Sequence, residues 1–225
     1  MLGFMAQHLW SNKMKPHLFN SNIASQNSYL FSKNGKACIV DPGFNGESLL
    51  LYLDAHKLDL TTILLTHGHY DHIRDIRLLA KKYTFVIYIH EKEKDFLKDQ
   101  RLNYASHFGG SFQLQQDQRV ILVNHDETLD IEGEPIQVLH TPGHTIGSVS
   151  YLYGPYLFSG DTLLRHSVGR TDLARGSRTD LLNSINFLLS KLSRDTFVYP
   201  GHDGVSKISE ELASNPFQKT YQRKR

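Results

Sequence analysis

Seven consecutive residues, Thr66-His67-Gly68-His69-Tyr70-Asp71-His72, follow the apolar run Ile63-Leu64-Leu65 and crowd imidazoles and a carboxylate into one short stretch. In an extended segment side chains alternate, so His67, His69 and Asp71 face one side, and His72 joins them only where the extension ends in a turn. Burying such a set without compensation is costly, because each ring nitrogen needs a partner. A metal ion supplies that partner. The alternative is a polar loop of merely solvated histidines, which suits an isolated histidine better than H-x-H-x-D-H after a buried strand.

More donors stand in glycine-flanked turns, each after a β-type run: Thr141-Pro142-Gly143-His144-Thr145, Phe158-Ser159-Gly160-Asp161-Thr162 and Tyr199-Pro200-Gly201-His202. All fall at strand ends, where rigid scaffolds present functional loops.

The elements that must position these donors are legible from periodicity. Asn27 to Asp41 reads as a hairpin turning at Asn34-Gly35. A helix is predicted over 46–57, with Leu49, Leu50 and Leu53 inward, and a wholly buried strand over 61–65. A second helix over 73–82 and a strand over 84–89 complete a βαβ unit, which puts His67 to His72 at the carboxyl end of a parallel strand. Residues 91 to 118 begin with a charged helical turn and continue without regular pattern; a stretch of that length suits a lid or pocket wall. From Arg119 on, short β runs at 119–124, 128–132, 135–140, 147–153 and 156–159 predict an antiparallel sheet. A helix over 177–192 capped by Ser177, a strand over 196–199 and a helix over 205–213 close the chain.

The chain has 225 residues, 40% of them hydrophobic and 21% charged, with a net charge of +2, values that suit an ordinary globular protein and argue against a polyanion binder. We expect a single domain over 15–225 preceded by an N-terminal extension over 1–14, and a solvated basic tail, Lys219 to Arg225. The lone cysteine, Cys38, lies in an alternating strand; it excludes an internal disulfide and agrees with a reducing compartment. No apolar run reaches the roughly 18 residues of a membrane span, and the first residues are too short and mixed for a signal peptide, so the expected location is cytoplasmic.

Together these motifs resemble the metallo-β-lactamase superfamily. The H-x-H-x-D-H stretch looks like its signature, and the turns at His144, Asp161 and His202 look like its later ligand motifs, in order. The resemblance implies an α/β fold of the four-layer αββα sandwich type. It also implies two divalent metal ions, zinc foremost with iron or manganese as alternatives. His67, His69 and His144 would hold one ion and Asp71, His72 and His202 the other, with Asp161 bridging. Asp71 and Asp161 would be the catalytic carboxylates.

Within the superfamily the chain is most similar to short glyoxalase II-like hydrolases, on Gly169-Arg170-Thr171-Asp172, Asn103 to Gly109 and Asn215-Pro216-Phe217. Only a short stretch follows His202, so the helical domain with which true glyoxalase II holds glutathione has no counterpart here. The implied activity is hydrolysis of a small thioester such as S-lactoylglutathione by a metal-bridging hydroxide. Arg170, Tyr104 and His107 are the expected substrate contacts, with a local pairing of Arg170 to Asp172 as the alternative for Arg170. Competing expectations are an iron-dependent persulfide dioxygenase and a nuclease or phosphodiesterase; the superfamily's nucleases carry RNA-handling arms that are not found here. His90, His125 and His166 lie outside every motif and are expected to be surface or supporting histidines, with His166 the best placed near the site. The oligomeric state is not encoded in these patterns.

Overall fold

Alternation along two strands, β2 (Asn27–Lys33) and β3 (Lys36–Val40), decides the architecture of the computed structural model, which describes residues 15–218. The expected extension over 1–14 and the basic tail lie outside the described residues. Leu30, Ala37 and Ile39 face one way, into a core shared with Leu49, Leu53, Ile73, Ile76 and Leu79. Tyr29, Phe31, Cys38 and Val40 face the other way, against Val138, Tyr151, Phe158 and Tyr199. A third core joins Leu139, Leu157 and Val198 to Leu181, Ile185, Leu188 and Ile208. Cores on both faces of two sheets require helix, sheet, sheet and helix in four layers, the αββα sandwich.

The first sheet runs β1 (His17–Asn20), β2, β3, β4 (Asp59–Leu64), β5 (Val86–His90), β6 (Val120–Val123). Its first three strands are antiparallel and the rest parallel. The hairpin turns at Asn34 and Gly35, with φ of 52° and 78°, as a primed turn requires.

The second sheet is built from β7 (Thr128–Ile131), β8 (Glu134–His140), β9 (Val149–Tyr153), β10 (Tyr156–Gly160), β13 (Phe197–Pro200) and β14 (Ser206–Lys207). It is antiparallel except where β10 runs parallel to β13. A ribbon of β11 (Leu163–Leu164) and β12 (Ser167–Val168) stands beside it.

Helix α1 (Gly46–Ala55) covers the first sheet. The single helix expected over 73–82 is instead two short pieces, α2 (Tyr70–Ile73) and α3 (Ile76–Leu79). Asp75 explains the break: its N–H donates to Gly43 O at 3.0 Å and its carboxylate accepts from Gly46 N–H at 2.8 Å, so the backbone leaves the helical ladder. Ile73, Ile76 and Leu79 are still buried, because the same apolar spacing serves both pieces. A short α4 (Gln100–Asn103) lies in the irregular stretch, and α5 (Arg178–Lys191) and α6 (Ile208–Ser214) cover the second sheet. As expected, Ser177 caps α5, its hydroxyl accepting from Asp180 N–H at 3.3 Å.

Candidate metal centre

The donors meet where strands of both sheets end. β4 leads into an extended stretch through His69, whose φ and ψ are −70° and 150°, and α2 begins at Tyr70. His67 and His69 are therefore presented from extended chain. Asp71 and His72 come from the first helical turn, one residue earlier in the motif than simple alternation predicts. His144 follows β8, Asp161 follows β10 and His202 follows β13, so the second sheet supplies the rest.

Hydrogen bonds on the far side of four rings fix which nitrogen faces the centre. His72 Nδ1 bonds Asp41 Oδ2 at 3.0 Å, His144 Nδ1 donates to Arg170 O at 2.8 Å, and His202 Nδ1 donates to Ala24 O at 2.9 Å. His67 Nδ1 meets the Thr66 hydroxyl at 3.1 Å. Each ring thus turns Nε2 inward, as outer hydrogen bonds do for metal-bound imidazoles. Inner atoms lack hydrogen-bond partners: His67 and His72 Nε2 and Asp161 Oδ1 are buried and unsatisfied. Buried polar atoms are seldom left so, and a cation is what they fit.

Among the described residues three groups form, each with its donor atoms within 4.8 Å of one another: His67, His69 and His144; Asp71, His72 and His202; and Asp41, His67 and His72. The third overlaps the first two, which hold the expected donors. In the first, His69 Nδ1 stands 2.9 Å from His144 Nε2, a spacing that admits one proton or one cation. Asp161 reaches both groups, with Oδ2 at 3.5 Å from His144 Nε2 and 3.4 Å from His202 Nε2. All seven expected donors are brought together.

Electrostatics separate the groups. Burial, reinforced by His72, His144 and His69, forces His67 well below the usual imidazole range, and burial with His144 pushes His69 down to about 3. Burial also opposes charge on His72 and His202, yet Asp71 and Asp161, with Asp41 at His72, push them up to about 9 and about 11. Burial works to raise Asp161, but His202, His72 and His144 hold it well below the carboxylate range. One group therefore offers bare lone pairs and the other demands positive charge. Divalent cations meet both conditions.

Beside the centre lies a cavity of about 440 Å³, walled by Tyr104, His107, Phe108, Leu164 and Arg170. The irregular stretch after β5 is thus a pocket wall. Tyr104 sets its ring edge-on to His69, centroids 5.6 Å apart, and its hydroxyl accepts from Ala174 N–H at 2.8 Å. Arg170 lines the cavity and also makes the local pair, donating to Asp172 at 2.7 and 2.8 Å.

The outlying histidines differ from expectation in two cases, His90 and the expected placement of His166 near the site. His90 is neither a surface residue nor a support of the centre: it is buried and stacks on His140 with centroids 4.2 Å apart. His166 is exposed and turned from the cavity, its Nδ1 against the Ser214 hydroxyl at 2.7 Å.

Two supporting carboxylates escaped the sequence reading. Asp41 accepts from Thr66 N–H at 2.8 Å and from the Thr66 hydroxyl at 2.6 Å besides contacting His72. Its position in Asp41-Pro42-Gly43, at the end of the strand beside β4, was the available signal. Glu93 is fully buried within a run of charges and gave no signal at all.

Residues 22–202 match the profile of the metallo-beta-lactamase superfamily. The chain belongs to that superfamily. It is 34% identical over 193 residues to the probable metallo-hydrolase YqgX of Bacillus subtilis, covering 85% of this chain and 91% of that one. It is 31% identical over 204 residues to the hydroxyacylglutathione hydrolase GloC of Haemophilus influenzae, covering 84% and 91%. Among solved structures it is similar to BLEG-1, a B3 metallo-beta-lactamase, with TM-score 0.83 and 36% identity over 91% of this chain and 99% of that one. It is also similar to ETHE1 of Myxococcus xanthus, with TM-score 0.71 and 31% identity over 90% and 84%. The αββα sandwich of this superfamily, its histidine and aspartate clusters and these relatives together mark the chain as a metallo-hydrolase that uses divalent metal.

Proposed function

We propose that the protein hydrolyses a small thioester of the S-lactoylglutathione class. His67, His69 and His144 hold one divalent ion, Asp71, His72 and His202 hold the second, and Asp161 is shared. The observation that carries this reading is the reach of Asp161 Oδ2 to both groups, at 3.5 and 3.4 Å, beside a cavity sized for a small acyl group. An imidazole and carboxylate set admits zinc, iron or manganese, and zinc is our assignment.

When bound, divalent ions would supply Lewis acidity and would lower the pKa of a bound water from 15.7 to about 7. The chain's own residues do the positioning. Asp71, with its carboxylate 3.3 Å from His202 Nε2, sits at the edge of the cavity, where it would orient the nucleophile. Tyr104, Phe108 and Leu164 wall the acyl group from bulk water, and Arg170, Tyr104 and His107 contact the anionic carrier.

The leaving group decides among carbonyl substrates. A thiol of pKa about 8.5 departs without a proton donor, whereas an amine requires one. Tyr104 and His107 stand in the cavity wall rather than among the clustered donors. A thioester makes the least demand on them, and similarity to GloC supports the same class. A persulfide dioxygenase, the competing expectation from the sequence, is the second reading. No described helix is long and apolar enough to cross a membrane, and the buried thiol of Cys38 suits a cytoplasmic setting.

The test is metal analysis of protein purified without added metal, together with hydrolysis of S-lactoylglutathione. Close to two zinc ions per chain with thioester cleavage is the expected result. About one iron per chain, with oxygen uptake on glutathione persulfide and little hydrolysis, overturns it.

A further inference from the structure

Glu93 lies in Glu91-Lys92-Glu93-Lys94-Asp95, a charge pattern that suits a solvated turn, yet its side chain is fully buried. It is carried by the 3₁₀ turn Glu91–Leu97 that follows β5. Both carboxylate oxygens are in use. Oε2 accepts from Gly68 N–H at 2.9 Å and Oε1 from Gly147 N–H at 2.8 Å.

The two glycines belong to different sheets' loops. Gly68 separates His67 from His69 after β4, and Gly147 lies three residues beyond His144 in the turn between β8 and β9. The carboxylate fits because both loops come close at these points. A Cβ at Gly68 would stand 2.3 Å from Phe96 Cβ, and one at Gly147 would stand 2.7 Å from Glu93 Cγ. A buried carboxyl group is costly, and one that is satisfied by two backbone donors on separate loops fixes those loops relative to each other.

We infer that Glu93 is a positioning residue that sets His67 and His69 against His144, and through them the affinity of the first metal ion. This rests on the ligand assignment proposed above. Asp41 performs the corresponding service for His72 through direct contact, whereas Glu93 touches no donor side chain and acts through backbone alone.

The chemistry of the clamp prescribes its test. Glu93→Gln keeps the volume but turns one acceptor into an NH₂ group facing an N–H. Glu93→Asp keeps both acceptors on a shorter stem. The probe is Co²⁺, titrated into metal-free protein and followed by its visible absorption, in a His202→Ala background that isolates the first group and a His144→Ala background that isolates the second. We expect first-group affinity to fall by about 10- to 100-fold in the Gln variant, the range found for outer-shell partners of metal ligands, and by less in the Asp variant. Second-group affinity should stay close to the parent's, because the far end of the clamp, Gly147, lies in the loop that carries His144.

A space-filling role would give the opposite order, with Gln close to the parent and Asp worse. That order, an equal loss at both groups, or no loss at either overturns the inference while leaving the metal assignment intact. Failure of the parent chain to take up any Co²⁺ overturns both. Should the Gln variant not fold by circular dichroism, Glu93→Leu, which fills the space without an acceptor, is compared with Glu93→Asp: a larger first-group loss in the Leu variant supports the clamp, and a larger loss in the Asp variant refutes it.

Discussion

Asp161 reaches both donor groups, at 3.5 Å from His144 Nε2 and 3.4 Å from His202 Nε2, and it is held ionised in a buried place against the cost of that burial by His202, His72 and His144. Removing it takes away a carboxylate that spans them. Asp161→Ala is expected to lower kcat/KM on the thioester by on the order of a thousandfold or more, the scale of losing several kcal/mol of Lewis-acid stabilisation. Its circular dichroism should match the parent, since Asp161 anchors no strand; unchanged turnover would refute the two-metal reading. A second expectation concerns His90, away from the centre. Burial first, then His140 and Lys92, push its pKa down to about 4 from 6.5. The folded ring resists protonation that the unfolded ring accepts, so its contribution is present above pH 6.5 and is lost as pH falls toward 4. The loss is at most about 3 kcal/mol across that window. His90→Phe retains the stacking surface on His140 but cannot titrate. The gap in melting temperature between pH 7 and pH 4.5 should therefore narrow in that variant, and an undiminished gap would assign the acid sensitivity elsewhere. Residues of this kind were the hard part of the sequence. The seven donors announce themselves because unusual types cluster at strand ends. Asp41 and Glu93 are common types whose partners, Thr66, Gly68 and Gly147, become neighbours only after folding.

Elements hold the donors by backbone contacts as much as by side chains. The loop carrying His144 is pinned to the start of α5: Ser177 N–H donates to Gly143 O at 2.8 Å, and the Ser184 hydroxyl donates to Pro142 O at 2.7 Å. Gly143 has φ of +138°, and a Cβ there would lie 2.2 Å from Leu181 N, in the helix backbone itself. Helix backbone cannot yield as a flexible side chain can. Gly143→Ala should therefore either cost about 3 kcal/mol or more of stability, as strained backbone and overpacking together do, or push the His144 loop outward and weaken the first metal. Chemical denaturation and Co²⁺ titration read the two outcomes, and a variant normal in both would show that the loop tolerates the displacement. Ser177→Ala is milder, about 1 kcal/mol for a lost cap. The longer strands and α5 with its cap were readable, because burial on one or both faces imposes a period that sequence displays. β1, β14 and the ribbon of β11 and β12 were too short to show one. The run at 119–124 joins the first sheet parallel to β5 instead of the antiparallel sheet expected for it. The break between α2 and α3 was not, because Asp75 trades a helical bond for bonds to Gly43 and Gly46, and periodicity is blind to that exchange.

At the scale of the molecule the centre is a joint. His67, His69, Asp71 and His72 come from the first sheet's side, and His144, Asp161 and His202 from the second. Between the sheets runs an apolar core that includes Tyr29, Phe31, Tyr151 and Phe158, and it holds them together whether or not ions are bound. Metal removal should therefore leave the sandwich folded but less stable. The rim where the donors converge then carries unsatisfied inward atoms and protonated His72 and His202 in place of cations. By mass action, an ion present at a thousandfold excess over its dissociation constant contributes about 4 kcal/mol. For a chain of this length each kcal/mol moves the midpoint by roughly 2–4 °C. Stripping one tight ion should then lower the melting temperature by on the order of 10 °C, with far-ultraviolet circular dichroism retained at 25 °C. The drop should be reversed by Zn²⁺ but not by Mg²⁺, which prefers oxygen ligands to imidazole. If chelation left the midpoint unmoved, the donors would be holding no ion across the joint, and the two sheets would owe their alignment to the apolar core alone.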